Sequence, residues 1–239
     1  MVRRFISFGS TPMYFNAATN LTKEAITMGG FDSSHVYTKS ALDNWFVEHN
    51  KIILSNPVGD GFWLWKPYCI FKDLYNLKDG DILVYCDSLY EFMPSTQKMA
   101  EFFEEQLSGD NDIFLVSNKP NDGTYPETQF TKGDPFVLIP GDNKLGPQVW
   151  AGFVAVRKSF RSMNFISQWL TYAQDPRIIS DDMDVINKPY ADFYRNRRDQ
   201  SALSLVAKNN NIQFHKCPSM LNDLRNPYPK LALKSYNIL

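Results

Sequence analysis

The sequence predicts an α/β fold on a largely parallel sheet, and three observations carry that expectation. Short apolar runs alternate with segments of helical spacing from the first residues onward, the strand, helix, strand, helix rhythm of parallel sheets. Ile82-Leu-Val-Tyr-Cys86 is apolar throughout, as a strand covered on both faces must be. Gly, Pro and Asp cluster between these segments, where the chain has to turn. With 239 residues, 44% of them hydrophobic, the chain has ample apolar material for a core.

The elements follow in order. Phe5-Ile-Ser-Phe-Gly9 reads as a buried strand opening into a loop at Gly-Ser-Thr-Pro. Tyr14 to Met28 has helical spacing and stops at Gly29-Gly30. Ser34 to Tyr37 is a second strand, and Lys39 to Asn50 an amphipathic helix with Leu42, Trp45, Phe46 and Val47 on one face. After a turn at Gly59-Asp-Gly61, Pro67 to Leu77 reads as a helix with proline in its first turn. Asp79-Gly-Asp81 is a turn before the strand at 82–86. Ser95 to Leu107 is a helix with Ser95 as N-cap, and Asp112 to Val116 a strand. Residues 118–149 read as loops around short elements. Gly152 to Val156 is a strand, Phe160 to Ala173 and Asp199 to Lys208 are helices, and Ile212 to Phe214 follows. No repeat or linker argues for a second domain, so 1–239 is expected to be one, its tail from Pro218 wrapping the surface.

Composition narrows the function. The 25 Lys and Arg nearly cancel the 26 Asp and Glu, which leaves no global field for a polyanion and argues against a nucleic-acid binder. Phe, Tyr and Trp make up 15% of the chain, more than a minimal core needs, so some rings are expected to face a ligand. Cys69, Cys86 and Cys217 form no CxxC pair and suggest neither a zinc site nor a disulfide framework. Without a signal peptide or an apolar run long enough for a transmembrane segment, a reducing, cytoplasmic setting is the expectation.

In an open α/β sheet the ligand sits at the carboxyl ends of the strands. The end of the first strand, including Phe8, Gly9 and Ser10, falls there, as do Tyr85, Cys86, Asp87 and Ser88. Asp87 directly after an apolar strand suits a divalent cation, Mn²⁺ or Mg²⁺, bridging two phosphates, though it would equally cap the next turn. In Gly59-Asp-Gly-Phe-Trp-Leu-Trp-Lys-Pro67 the glycines admit a ligand, Trp63 or Trp65 can stack on it, and Lys66 can neutralise phosphate. An extended segment would send the two tryptophans to opposite sides, one of them serving as a loop plug. Arg195, Arg197 and Arg198 crowd the loop before Asp199-Gln200, whose place in a helix first turn is also ordinary helix chemistry.

These residues carry a resemblance. The strings Gly-Phe-Trp-Leu-Trp-Lys-Pro-Tyr, Leu-Lys-Asp-Gly-Asp-Ile-Leu-Val-Tyr-Cys-Asp-Ser and Arg-Arg-Asp-Gln-Ser-Ala-Leu-Ser-Leu-Val-Ala-Lys resemble small GT-A-type glycosyltransferases of bacterial surface-polysaccharide clusters and large DNA viruses, chlorella viruses among them. Phe130 to Phe136 and Gln148 to Gly152 resemble further segments of that family. The resemblance implies a Rossmann-like nucleotide-diphosphosugar transferase fold with a mixed, mostly parallel sheet, a nucleotide-diphosphate sugar donor and a glycan or glycoconjugate acceptor. The family's Asp-any-Asp metal motif falls on Tyr85-Cys86-Asp87, acidic only at Asp87, and His215 stands where some relatives place a further metal ligand. In that frame Lys66, Arg197, Arg198 and Gln200 face the diphosphate. Asp199 is the carboxylate at the reacting carbon or acceptor hydroxyl, with Asp134 as runner-up, and Lys132, Trp150, Ala151 and Gly152 border the acceptor. Two other classes stay open: a non-catalytic nucleotide-sugar or carbohydrate-binding module, and a sugar nucleotidyltransferase, which would want a basic loop where Gly9 to Tyr14 has none.

Overall fold

The computed structural model describes residues 1–117, 125–141 and 145–224. Its main sheet has six strands in the order β2-β1-β3-β6-β5-β7, namely β1 (Arg3–Phe8), β2 (Ser33–Tyr37), β3 (Ile82–Cys86), β5 (Ile113–Ser117), β6 (Val149–Arg157) and β7 (Phe214–His215). Neighbours run parallel except at β6, which is antiparallel to both β3 and β5. A second, two-stranded antiparallel sheet joins β4 (Tyr90–Phe92) to β8 (Leu221–Asp223).

Alternation along the strands divides the core into two layers. Ile6, Phe8, Leu83 and Tyr85 face the layer holding the helices Trp65–Asn76, Phe160–Ala173 and Asp199–Asn209. Phe5, Ile82, Val84 and Cys86 face the opposite layer, with the helices Pro12–Thr27 and Met99–Gln106. The all-apolar run at 82–86 is fully buried because both sides of β3 are covered.

Several elements depart from the sequence reading. The segment expected as one helix, Lys39 to Asn50, is a 3₁₀ turn (Lys39–Ala41) followed by two short helices, Asn44–His49 and Lys51–Leu54. Leu42 is extended, and the Asp43 carboxylate accepts from Lys72 and Tyr68, which fixes the break. Phe46 and Ile53 are buried, while Trp45 turns outward. Ser95 caps no helix: the helix starts at Met99, where Glu101 accepts from the Lys98 N–H. The strand expected at Gly152 to Val156 begins at Val149, so Trp150 to Gly152 are strand residues. The tail from Pro218 does more than wrap, because β8 pairs with β4; residues 225–239 lie outside the described residues, as do 118–124 and 142–144 of the expected loop region.

The Gly59-Asp-Gly61 turn is stranger than a simple reversal. Gly59, Asp60, Gly61, Phe62 and Trp63 have φ of 57, 54, 95, 55 and 63°, a full turn of left-handed helix. For L-residues that conformation costs roughly 1–2 kcal/mol each. The glycines relieve two positions, and hydrogen bonds from Phe62 N to Val58 O and from Trp63 N to Gly59 O close the coil.

Candidate functional site

One cleft of about 960 Å³ opens at the carboxyl ends of β1 and β3, the place an open α/β sheet reserves for its ligand. Phe8 and Ser10 reach it from β1, and Tyr85, Asp87 and Ser88 from β3. β6 runs the other way and so presents its first residues, Trp150, Ala151 and Gly152, at the same edge. A bulge aims them. The pairing passes from Leu115↔Val154 to Val116↔Trp150, which leaves Ala151 to Phe153 without partners on β5. The cleft residues hold the freed backbone: the Ala151 N–H donates to Gln200 Oε1 at 3.2 Å, and the Asp87 N–H donates to the Gly152 carbonyl at 2.9 Å.

The floor is an ion cluster in which Lys66 and Asp199 are buried and Asp87 is partly exposed. Lys66, in the first turn of the helix Trp65–Asn76, is 3% exposed, yet its Nζ lies 3.2 Å from Asp87 Oδ1 and 3.2 Å from Asp199 Oδ2. The Tyr85 hydroxyl donates to the same Asp87 oxygen at 2.7 Å. Burial alone would lower the Lys66 pKa, but the two carboxylates hold it above its ordinary value. Asp199 begins the helix Asp199–Asn209, and the Trp169 indole N–H donates to its carbonyl. Burial pushes the Asp199 carboxyl up to about 6, with Lys66 opposing and Asp87 reinforcing the rise. Asp199 Oδ2 is buried and has the Lys66 ammonium, 3.2 Å away, as its counter-charge.

Three arginines line the wall beside Asp199. The Arg197 guanidinium sits 4.5 Å from the ring centroids of both Tyr125 and Phe130, and its Nε is buried without an acceptor. Burial, then Arg195, lowers the Arg197 pKa. Arg198 pairs with Asp181 at 2.6 Å and lies 5.4 Å from the Trp63 ring. The Trp65 and Phe8 rings stack with centroids 3.6 Å apart, and the Trp65 N–H donates to the Gly59 carbonyl. Trp63 and Trp65 both line the cleft, contrary to the opposite-sides expectation, because the segment is coiled rather than extended.

Other expected residues do different work. Gly9 lies behind the cleft wall, where a Cβ would come within 2.4 Å of the Phe15 backbone; glycine lets the helix Pro12–Thr27 approach β1. Cys86 points into the opposite layer of the core. Asp134 is a loop clamp, accepting from the N–H groups of Val185, Ile186 and Asn187, which outweigh burial and hold its carboxyl below the usual range. Lys132 is buried and donates to the Asp182 carbonyl. His215 stacks on Phe114 at 4.2 Å, and burial lowers its pKa. None of these five lines the cleft. Sequence reasoning missed Tyr14, Asp60, Tyr90, Tyr125, Asn222 and Asp223, which do line it. Tyr90 and the β8 residues reach it through the small β4·β8 sheet, a pairing no local pattern announces.

A divalent cation asks for several oxygen or imidazole ligands with free lone pairs. Among the described residues no group of three His, Cys, Asp or Glu converges. Asp87 and Asp199, the two carboxylates on the floor, already share an ammonium. The described residues therefore hold no ready-made set of metal ligands in the cleft.

No family model matches the chain, and no curated protein matches it. Among solved structures it is similar to a glycosyltransferase involved in the glycosylation of the major capsid of PBCV-1, with 13% identity and a TM-score of 0.40. The match covers 72% of this chain and 66% of that one, just under two thirds of the neighbour's length. A likeness of that size leaves the weight of any functional reading on the cleft itself. Among the described residues, no helix is long and apolar enough to cross a membrane.

Proposed function

We propose that the protein is a glycosyltransferase that moves a sugar from a nucleoside-diphosphate sugar to a hydroxyl of a glycan acceptor. The observation that carries this reading is the Asp87–Lys66–Asp199 cluster, set at the carboxyl edge of the sheet between three arginines and a set of aromatic rings. Glycosyl transfer develops positive charge at the sugar carbon and negative charge on the departing diphosphate. The cleft has groups suited to both: Arg195, Arg197 and Lys66 for the phosphates, and the buried Asp199 carboxylate for the other pole.

In the inverting form of the reaction, the bond from the sugar carbon to the phosphate oxygen breaks and its electron pair leaves with the diphosphate. The acceptor oxygen bonds to the carbon, and its proton passes to Asp199 and then to water. In the retaining form, Asp199 supports the cationic carbon. A carboxyl titrating at about 6 is largely ionised near neutral pH and can act in either role. Trp63, the partly exposed ring beside the buried Phe8–Trp65 stack, suits the flat donor base, and Trp150 suits a sugar face of the acceptor.

The test is incubation with a panel of UDP-, GDP- and dTDP-sugars, with and without glycan acceptors, reading nucleoside diphosphate release and glycan mass. Transfer or donor hydrolysis from one donor supports the reading; no release from any donor, with nucleotide binding intact, would favour a binding module. That second reading has its own observation, an acidic motif reduced to Asp87 by Tyr85 and Cys86. Pyrophosphate release from a nucleoside triphosphate and a sugar phosphate would favour a nucleotidyltransferase.

A further inference from the structure

We infer that Lys66 is the resident cation of this site, and that donor binding and transfer run without a divalent metal; the inference about transfer rests on the glycosyltransferase reading. Lys66 Nζ is equidistant, at 3.2 Å, from one oxygen of each carboxylate. A divalent ion bound by both Asp87 and Asp199 would meet the ammonium between them. The ammonium is tied to the site by more than the carboxylates, since it also lies 5.8 Å from the Trp65 ring centroid and 5.6 Å from that of Tyr85. Its helix is fixed beneath it by the buried Tyr68, Cys69 and Ile70. Asp87 Oδ1 is further occupied by the Tyr85 hydroxyl, which leaves the Oδ2 atom for any incoming group.

Charge points the same way. A metal-dependent site brings two positive charges with its ion to offset the diphosphate. Here the chain supplies them: Lys66 on the floor, and Arg197, whose guanidinium is held between rings with a buried Nε lacking an acceptor. An ion added beside the buried Lys66 would face like charge at close range. Removing the ammonium inverts the situation, because the buried Asp199 and the partly exposed Asp87 then stand together without their shared counter-charge.

Retention of Mn²⁺ by the protein on ultrafiltration, with and without UDP or GDP, tests this directly. The wild-type chain is expected to retain none, its nucleotide affinity is expected to change by less than about threefold on adding Mn²⁺, and donor turnover should persist in EDTA. Lys66→Ala is expected to retain Mn²⁺, and Lys66→Ala/Asp87→Asn to lose it again. Stoichiometric Mn²⁺ on the wild type, a tightening of nucleotide binding by about tenfold or more with Mn²⁺, or a folded Lys66→Ala that retains no more Mn²⁺ than the wild type would overturn the inference. If Lys66→Ala does not fold, the wild-type measurements decide. If no nucleotide binds, the glycosyltransferase reading fails on its own, while Mn²⁺ retention by the bare protein still decides whether Lys66 holds the cation position.

Discussion

At Asp199 two roles of one carboxylate pull against each other. Its folded pKa of about 6 stands above the ordinary 3.8, so between those values the native state holds a proton that the unfolded chain has released. The stability this gives is fully present below about pH 3.8 and is lost as pH rises through about 6. Asp199→Asn removes the buried charge but leaves Lys66 with Asp87 alone, so relative to the wild type its melting temperature should stand higher at pH 7.5 than at pH 4, as differential scanning fluorimetry across pH would show. Catalysis runs the opposite way: kcat/KM should rise with pH through about 6 and then level, because the ionised carboxylate is the active form. Lys66 adds no basic limb below its raised pKa. The same Asp199→Asn variant should lose about 10²- to 10⁴-fold in turnover; a folded variant of near-normal activity would remove Asp199 from the chemistry.

Two elements carry their function in glycine. In the left-handed coil at 59–63, a Cβ on Gly59 would lie 2.3 Å from the Trp63 ring. Gly59→Ala should therefore cost about 1–2 kcal/mol of stability and push the Trp63 indole from its place in the cleft, raising the donor KM more than it lowers kcat. Denaturant melts and donor kinetics would separate the two effects. On β6, a Cβ on Gly152 would lie 2.3 Å from the Trp150 indole, which lies across the bare glycine. Gly152→Ala should leave donor hydrolysis nearly intact and depress transfer to glycan, measured as the ratio of the two products. Sequence pattern announced the first element only in part. Glycine pairs with tryptophans and a lysine marked 59–67 as a ligand segment, but side-chain directions were drawn for an extended chain, and five positive φ values in succession have no periodic signature. The bulge at 151–153 was likewise invisible, because it is defined by pairing with β5, not by its own residues.

Over the whole molecule, the legible part was whatever burial dictates locally. β3 is apolar because both of its faces are covered, and the end of that strand located Asp87. Long-range pairings were not legible: β4 meets β8 across more than a hundred residues, and the reversal of β6 depends on how the chain returns to the sheet. The polar core that ties the cleft wall to the helix Asp199–Asn209 also escaped the sequence, since Glu127 read as a loop residue. It is fully buried, receives Lys208 Nζ at 2.7 Å and accepts from Thr131, Gln148 and Ser204. Gln148 in turn accepts from Gln200 in the cleft, and Phe130, three residues beyond Glu127, stacks on Arg197. Glu127 is thus linked to the cleft wall through Gln148 and the short helix that carries Phe130. Glu127→Gln would replace the charge facing Lys208 with a neutral amide and set two amide hydrogens among the donors Thr131, Gln148 and Ser204, a loss of about 1–3 kcal/mol. The expected result is a fall in unfolding free energy with the floor cluster intact, and in the surviving folded fraction weaker nucleotide binding through Arg197. A Glu127→Gln protein that melts like the wild type would show that the hydroxyls and amides around position 127 suffice, and that the wall stands without the ion pair.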